Sequence, residues 1–188
     1  MKIVGIDYSM SCPAMCLLDE SLEFTKSRFY ILSDRKKDCD AIVSNVFCRP
    51  HALYKTETER FDKISEYFIS ILEKEGLLKE HSSKVYLEDY SMGSKGKVFN
   101  IAENTGILKF KLHQNQIPLI TIPPTVIKKF ASGKGNSDKE GMYKAFLDRG
   151  NPDITKHYYV KLNPKITSPV SDIVDSYFIA LYGAQDKT

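Results

Sequence analysis

The sequence has few of the features that define zinc-binding, secreted or membrane-embedded chains. Its four cysteines, Cys12, Cys16, Cys39 and Cys48, form no C-x-x-C pair, and no histidine lies at a zinc-like spacing from them. No stretch approaches the roughly 18 consecutive apolar residues of a membrane span. The first residues, with one lysine and an early Asp7, do not resemble a signal peptide. We therefore expect a soluble cytoplasmic protein with reduced thiols, in which Cys12 and Cys16 pack in a first hairpin.

Charge of neither sign dominates the chain. The 27 lysines and arginines face 24 aspartates and glutamates, which gives a net charge of +3. This mild excess permits nucleic-acid binding without requiring it, so the distribution of the charges matters more than their sum. The 188 residues, 42% of them hydrophobic, are enough for a real core, and no repeat, low-complexity tract or linker divides them. We predict one domain over residues 1–188.

The hydrophobic pattern predicts an α/β fold. Three short strands joined by turns, at 2–7, 13–19 and 24–32, indicate an antiparallel meander, and a loop is expected over 33–54. Further strands are predicted over 84–88 and 117–122, and helices over 55–76, 97–112, 123–131, 138–150 and 171–184. Strands that alternate with helices after a meander favour a mixed five-stranded sheet with helices on both faces.

Two of the predicted strands end directly on a carboxylate. Asp7 and Glu88 each follow apolar residues with no polar spacer, so the two acids meet at one end of the sheet if their strands are neighbours. Asp172 and Asp175 are three residues apart and share one face of the last helix. Asp172 also lies in the first turn of that helix, where the helix dipole favours an anion.

Each acid also has an ordinary explanation as a turn former, a helix cap or a solvated surface charge. Taken together, the four acids favour a different interpretation. Crowded carboxylates repel one another and attract divalent cations that prefer oxygen ligands, such as Mg²⁺ and Mn²⁺. Two such ions about 3.5–4 Å apart are a common device for phosphodiester cleavage.

Four segments resemble motifs of the RuvC family of Holliday-junction resolvases. They are GIDYS (5–9), YLEDY (86–90), IPPTVIKKFASGKGNSDKEGM (122–142) and SDIVDSYFIAL (171–181). The resemblance covers roughly residues 1–20 and 84–184. Residues 33–60 have no clear counterpart in the family, and this divergence suggests a phage- or virus-encoded member. It implies a ribonuclease H-like fold and a crossover junction endodeoxyribonuclease. Such an enzyme would act on branched DNA as a homodimer, leaving a 5′-phosphate and a 3′-hydroxyl.

By position, four acids of this sequence match the metal-binding residues of the family. They are Asp7, Glu88, Asp172 and Asp175, and the resemblance implies that they bind two Mg²⁺ ions, or Mn²⁺ in their place. Asp7 would bridge both ions, while the sequence leaves open which of Asp172 and Asp175 is a direct ligand. Lys139 is expected to stabilise charge on the phosphate or to orient the attacking water.

Other positions match the family less closely. Lys128 and Lys139 correspond to basic positions near the scissile strand. Tyr90 lies one residue short of an aromatic that the family places against junction bases, and Thr105 stands where bacterial members carry an arginine. The resemblance also suggests the helix over 97–112 as the dimer seam, so that each subunit cuts one strand of a twofold substrate.

Two segments rich in glycine and lysine supply further candidate DNA contacts. The first, around a G-K-G turn, contains Lys128, Lys129, Lys134 and Lys139; the second, SMGSKGK (91–97), contains Lys95 and Lys97. Glycine lets the backbone approach a phosphate closely, and lysines attract DNA of any sequence. Phe99, next to the second segment, is expected to pack in the core rather than stack on bases.

Three alternatives remain open at this stage. One is a nuclease of the same fold that cuts flaps, other branched DNA or RNA–DNA hybrids. A second is a nucleotide-binding protein of the actin and sugar-kinase class, which also begins with a G-I-D strand; the chain lacks the later glycine-rich adenosine motif of that class. A third is a catalytically silent DNA-binding protein, against which the presence of all four acids argues.

Overall fold

The structure is a computed structural model that describes residues 1–78, 83–90, 98–159 and 164–186. In these ranges six strands form one mixed sheet, in the order β4-β3-β2-β1-β5-β6. The strands are β1 Lys2–Asp7, β2 Ala14–Leu17, β3 Arg28–Ser33, β4 Val46–Pro50, β5 Ser83–Glu88 and β6 Leu119–Ile122. β1 to β3 form the predicted antiparallel meander, and β4, β5 and β6 pair in parallel with β3, β1 and β5.

Helices cover both faces of the sheet, as predicted. They are α1 Lys36–Cys39, α2 Glu57–Lys74, α3 Val98–Gln114, α4 Pro124–Ser132, α5 Lys139–Asp148, α6 Thr155–Tyr158 and α7 Val170–Gln185. The side chain of Asp138 caps α5 by accepting a hydrogen bond from the amide of Gly141 at 2.9 Å. No helix within the described ranges is both long enough and apolar enough to span a membrane.

The prediction of a loop over 33–54 is wrong. α1 and β4 lie there, and β4 adds a sixth strand beside β3. β4 is an edge strand whose side chains are largely exposed, including those of Phe47 and Arg49. An edge strand of this kind carries neither the apolar run of a buried strand nor a clean alternation, so the sequence pattern did not reveal it.

The expectation that all four thiols are reduced is also wrong. Cys39, at the end of α1, forms a disulfide with Cys48 in β4. The two residues come together because α1 folds back against the edge strand, a contact that cysteine spacing alone does not indicate. Cys12 and Cys16 are free and buried, as expected for residues of the first hairpin.

The sheet separates two apolar layers. On one face, Val4 and Ile6 of β1 pack with Phe68 of α2 and Leu108 of α3. On the other face, α4, α5 and α7 pack against the sheet around Phe178. Because successive β1 side chains point to opposite faces, the residue between Val4 and Ile6 faces α7.

That residue is Gly5, and it fixes the position of α7. A Cβ atom on Gly5 would lie 2.4 Å from the backbone nitrogen of Ala180 and 2.4 Å from the carbonyl oxygen of Ser176. One on Gly183 would lie 2.4 Å from the ring of Tyr86. Gly5 therefore lets α7 approach the backbone of β1, Gly183 leaves room for the Tyr86 ring of β5, and the first turns of α7 lie at the carboxyl ends of these strands.

Candidate active site

The four acids predicted from the sequence lie together at one end of the sheet. Ile6 pairs with Leu87, so the residues that follow them, Asp7 and Glu88, lie next to each other at the carboxyl ends of β1 and β5. The first turns of α7 lie at the same end of the sheet. Asp172 and Asp175 of this helix repel the charge of Asp7, and Asp175 and Glu88 repel each other. We call this group, Asp7, Glu88, Asp172 and Asp175, the acidic end.

Burial raises the pKa of every carboxyl group in the acidic end. The pKa of Asp7 lies well above its ordinary value because the group is buried and because Asp172, Glu88 and Asp175 repel its charge. Burial, then Glu88 and Asp172, raise the pKa of Asp175 to about 8. Burial raises the pKa of Glu88 to about 7 and also raises that of Asp172. Four carboxylates with raised pKa values favour the binding of a cation that neutralises their charge.

A cavity of about 310 Å³ opens beside the acidic end. Asp7, Glu88 and Asp175 line it, whereas Asp172 does not and is only 6% exposed. Asp172 instead accepts a hydrogen bond from the hydroxyl of Ser171 at 3.2 Å. The structure thus separates the two aspartates of α7, with Asp175 at the cavity wall and Asp172 behind it.

The chemistry of these donors fits a hard divalent cation. Carboxylate oxygens are the ligands that Mg²⁺ and Mn²⁺ prefer. Within the described ranges, however, no three acidic, histidine or cysteine side chains already form a metal-binding group.

Two of the predicted lysines face the acids across the cavity. Lys139 donates a hydrogen bond to Ser171 Oγ at 3.1 Å, and its charge partly offsets the rise in the pKa of Asp7. Lys128 lines the same cavity and acts on the pKa of Glu88 in the same direction. The sequence did not indicate Ser171, which connects Lys139 to Asp172.

The remaining predicted DNA contacts are more dispersed. Tyr90 lines the cavity, and Lys109 Nζ lies 4.9 Å from its ring centroid. Lys129 is exposed on α4 and does not line the cavity, while Lys134 lines a separate groove of about 430 Å³. Lys95 and Lys97 lie outside the described residues.

The expectation that Phe99 packs in the core is wrong. Its side chain is 81% exposed near the start of α3. The apolar face of α3 that packs inward begins later, at Leu108 and Leu112. A single aromatic next to a glycine-rich segment gave no periodicity from which its direction could be read.

Sequence reasoning missed several polar groups around the cavity. Tyr8 lines it, and the hydroxyl of this residue is buried without a hydrogen-bond partner in the described part of the chain. Next to the cavity-lining Thr105, which the sequence comparison had already named, the side-chain amide of Asn104 is fully buried in α3 and also lacks a hydrogen-bond partner among described residues. For Tyr8 the available signal was its position directly after Asp7.

The chain has a ribonuclease H-like fold of the RuvC type, as comparison with solved structures shows. RuvC of Thermus thermophilus superposes with a TM-score of 0.56 at 15% identity, covering 98% of this chain and 93% of that one. The same organism's RuvC in complex with Holliday junction substrate gives a TM-score of 0.60 at 13% identity, covering 98% and 95%. No protein-family model and no curated protein matches the chain. The fold that the sequence motifs implied is confirmed.

Proposed function

We propose that this chain is a structure-selective DNA endonuclease that resolves four-way junctions. The observation that carries the proposal is the convergence of four carboxylates, Asp172 buried and the other three partly buried, at one end of a RuvC-type sheet, beside a cavity lined by two lysines. Buried acids alone would repel DNA, whereas acids that hold cations beside lysines suit a phosphodiester. T. thermophilus RuvC, which shares the fold, has been solved with Holliday junction substrate.

We assign the metal ligands among the four acids as follows. Asp7, Glu88 and Asp175 would hold two Mg²⁺ or Mn²⁺ ions, with Asp7 shared, because these three acids line the cavity. Asp172 would complete the set from behind. The bound ions would supply an activated water and stabilise the leaving 3′-oxygen. The raised pKa values support this assignment, because ionised acids this crowded need cationic neighbours at neutral pH.

The chain's own side chains would hold the substrate in place. Lys139, anchored by Ser171, and Lys128 would bind phosphate oxygens on either side of the acids. Tyr90 would stack on an exposed base, with Lys109 over its ring adding positive charge toward the backbone. Thr105 offers a hydroxyl in place of the family's arginine, so any contact there would be weaker.

The homodimer is part of the proposal, and α3 supplies its seam. Phe99 and Phe110 on this helix are 81% and 60% exposed, which is unusual for large apolar side chains. A groove of about 390 Å³ between α2 and α3 is lined by Phe61, Ile107 and Phe110. A twofold dimer would present two acidic ends to the two strands of a near-twofold junction.

The test is cleavage of a panel of synthetic DNA substrates in Mg²⁺. We expect paired symmetric nicks on a four-way junction and little cutting of linear duplex. Equal cutting of junctions, flaps and RNA–DNA hybrids would indicate the broader nuclease, and no cutting of any substrate in Mg²⁺ or Mn²⁺ would contradict the proposal. Sedimentation of the protein–junction complex would report whether two subunits bind.

Metal binding has a separate readout that does not depend on activity. Ions that bind only the folded state raise its stability by about 2.7 kcal/mol at a concentration a hundredfold above the dissociation constant. For a domain of this size, that amounts to a rise of roughly 5–10 °C in melting temperature. The same melting temperature in EDTA and in excess Mg²⁺ or Mn²⁺ would contradict the metal assignment.

A further inference from the structure

A second pocket, of about 160 Å³, lies between β4 and the first half of α2. Arg49, His51, Arg60 and Lys63 line it, together with apolar side chains and Tyr67. Its described lining contains no aspartate or glutamate. We call it the basic pocket. It belongs to the region for which the sequence offered no counterpart in the RuvC family, and the proposed mechanism does not use it.

Two of its cations lack an acidic partner inside the pocket. Arg49 lies over the ring of Tyr67, 5.9 Å from the centroid, and its guanidinium makes no ion pair with a described residue. One terminal nitrogen of Arg60 donates to the carbonyl of Met10 at 3.0 Å, but its Nε is buried without a partner in the described ranges. That nitrogen is closed to an incoming ligand, so Arg60 offers the pocket its charge, whereas the exposed guanidinium of Arg49 can donate to an anionic oxygen.

Acids outside the pocket lining pair with two of its cations, and Asp34 acts electrostatically on His51. Glu59 pairs with Lys63 at 2.6 Å, and Glu57 lies 3.6 Å from Arg60, with both acids partly exposed. Burial lowers the pKa of His51, so its ring is neutral at neutral pH. Because Arg60 and Lys63 are paired with acids, the unpaired positive charge of the pocket is that of Arg49, and this charge suits a phosphate.

The basic pocket adjoins the catalytic cavity through one short turn. Ser9, after β1, lines the cavity, and the next two residues face the other way. The carbonyl of Met10 accepts from Arg60, and that of Ser11 lies 3.1 Å from His51 Nε2. Consecutive Cα atoms are about 3.8 Å apart, so the turn that contacts both sites spans at most roughly 8 Å from Ser9 to Ser11. A DNA strand carries a phosphate about every 3.4 Å of helix axis, which brings the pocket within reach of a neighbouring phosphate.

We propose that the basic pocket binds a phosphate of the DNA substrate a few nucleotides from the bond that is cut. This inference rests on the proposed endonuclease function and adds a second anchoring point to it. Arg49 would contact the phosphate oxygens, and the charge of Arg60 would add to the attraction. The contact would fix the direction in which the strand leaves the catalytic cavity.

The test compares two Arg→Gln variants in strands that pair with each other. Arg49→Gln removes a pocket cation that is exposed and unpaired, so the fold should tolerate the change. Arg28→Gln is the matched control: it removes the same charge at the far end of β3, where Arg28 pairs with Glu75. Binding of a labelled four-way junction would be measured by fluorescence anisotropy in Ca²⁺, over a range of salt concentrations.

We expect Arg49→Gln to weaken junction binding on the order of fivefold and to reduce the salt slope of log K by about 0.7–0.9, the loss of one phosphate contact. Arg28→Gln should leave both quantities unchanged. Unchanged binding in Arg49→Gln, or equal losses in the two variants, would overturn the pocket assignment and leave the endonuclease proposal standing. Wild-type protein that binds no junction would overturn both.

Substituting single phosphates in the DNA would locate the contact. Neutral methylphosphonates placed one at a time along the strand should identify a position that weakens binding to wild-type protein but not to Arg49→Gln. That position should lie a few nucleotides from the cleavage site. If every methylphosphonate weakens wild type and Arg49→Gln equally, Arg49 contacts no phosphate and the inference is wrong.

Discussion

Charged side chains are arranged in opposite ways at the two ends of the central sheet. At the amino end of β1, which we call the paired end, Arg28 contacts Glu75 at 2.8 Å and Lys2 lies 3.7 Å from Glu20. Hydrogen bonds from Ser21 lower the pKa of Asp19 there. At the acidic end, four carboxyl groups converge at the ends of β1 and β5 and the start of α7, and the pKa of each is raised.

This difference indicates which end was shaped by function. Exposed one-to-one ion pairs contribute little to stability, and they are common on ordinary protein surfaces. Buried acids without matching cations reduce stability, and sequences keep them where a site needs them. The acidic end is therefore unfavourable as isolated protein structure, and the proposed cations would offset this cost. Four predictions test that contrast.

The largest expected effect comes from paired Asp→Asn changes at the two ends. Asp7→Asn should reduce junction cleavage by about 10³-fold or more, because it removes the carboxylate assigned to both ions. Junction binding should persist, since it depends mainly on phosphate contacts. Asp19→Asn at the paired end should cleave normally. Gel assays of cleavage and anisotropy measurements of binding would check both variants, and full cleavage by Asp7→Asn would remove Asp7 from the mechanism.

A glycine pair tests whether the crowding depends on the approach of α7. Gly5→Ala places a methyl group within 2.4 Å of the α7 backbone, so the helix must move. We expect the free energy of unfolding to fall by about 2–4 kcal/mol. We also expect the Mg²⁺-induced rise in melting temperature to be lost. Gly106→Ala in α3, with nothing within 4 Å of the added atom, should instead gain about 0.5–1 kcal/mol from helix propensity. Urea denaturation measures both, and a Gly5→Ala variant as stable as wild type would contradict the backbone contact.

The pH dependence of stability without metal should have opposite signs at the two ends. The folded-state pKa values of Glu88 and Asp175, about 7 and 8, exceed the ordinary 4.5 and 3.8. At a pH between the unfolded-state and the folded-state pKa of each group, the folded protein holds a proton that the unfolded chain has released. The free energy of unfolding therefore falls as pH rises through this range. Asp19, with its lowered pKa, loses its contribution as pH falls.

In EDTA we therefore expect stability to drop by about 1–3 kcal/mol between about pH 5 and pH 8. Asp175→Asn should flatten this drop, whereas Asp19→Asn should not. Saturating Mg²⁺ should also remove it, because the bound ions keep the acids ionised. Urea titrations at several pH values would measure the slopes, and a metal-free stability that rises over this range would contradict the crowding of the acids.

The sequence predicted the elements of the fold whose residues carry a strong pattern. The apolar runs that end at Asp7 and Glu88 gave two central strands, and the motif around Asp172 identified the helix that meets them. The edge strand β4 was missed because it is short and none of its side chains is fully buried. The Cys39–Cys48 disulfide was missed because it depends on that strand being present.

The candidate site was predicted in composition but not in arrangement. Residue types and motif positions named the four acids, Lys128 and Lys139. They could not show that Asp172 lies behind Asp175, because that depends on how closely α7 approaches Gly5. They could not indicate the basic pocket either, since Arg49 and Arg60 come together only when β4 pairs with β3 and α2 packs beside it.

The smallest expected effect comes from two Tyr→Phe changes, one at each end. The Tyr8 hydroxyl is buried without a partner among the described residues, while the ring packs 5.7 Å from that of Phe68. Phe keeps the ring and removes the unsatisfied hydroxyl, so Tyr8→Phe should gain about 1 kcal/mol in the free energy of unfolding. At the paired end, the Tyr30 hydroxyl donates to Glu75 at 2.7 Å, so Tyr30→Phe should lose about 1 kcal/mol. Chemical denaturation would measure both changes. A loss of stability in Tyr8→Phe would mean that this hydroxyl has a partner in the folded protein, and that the interior beside Asp7 is as well satisfied as the paired end.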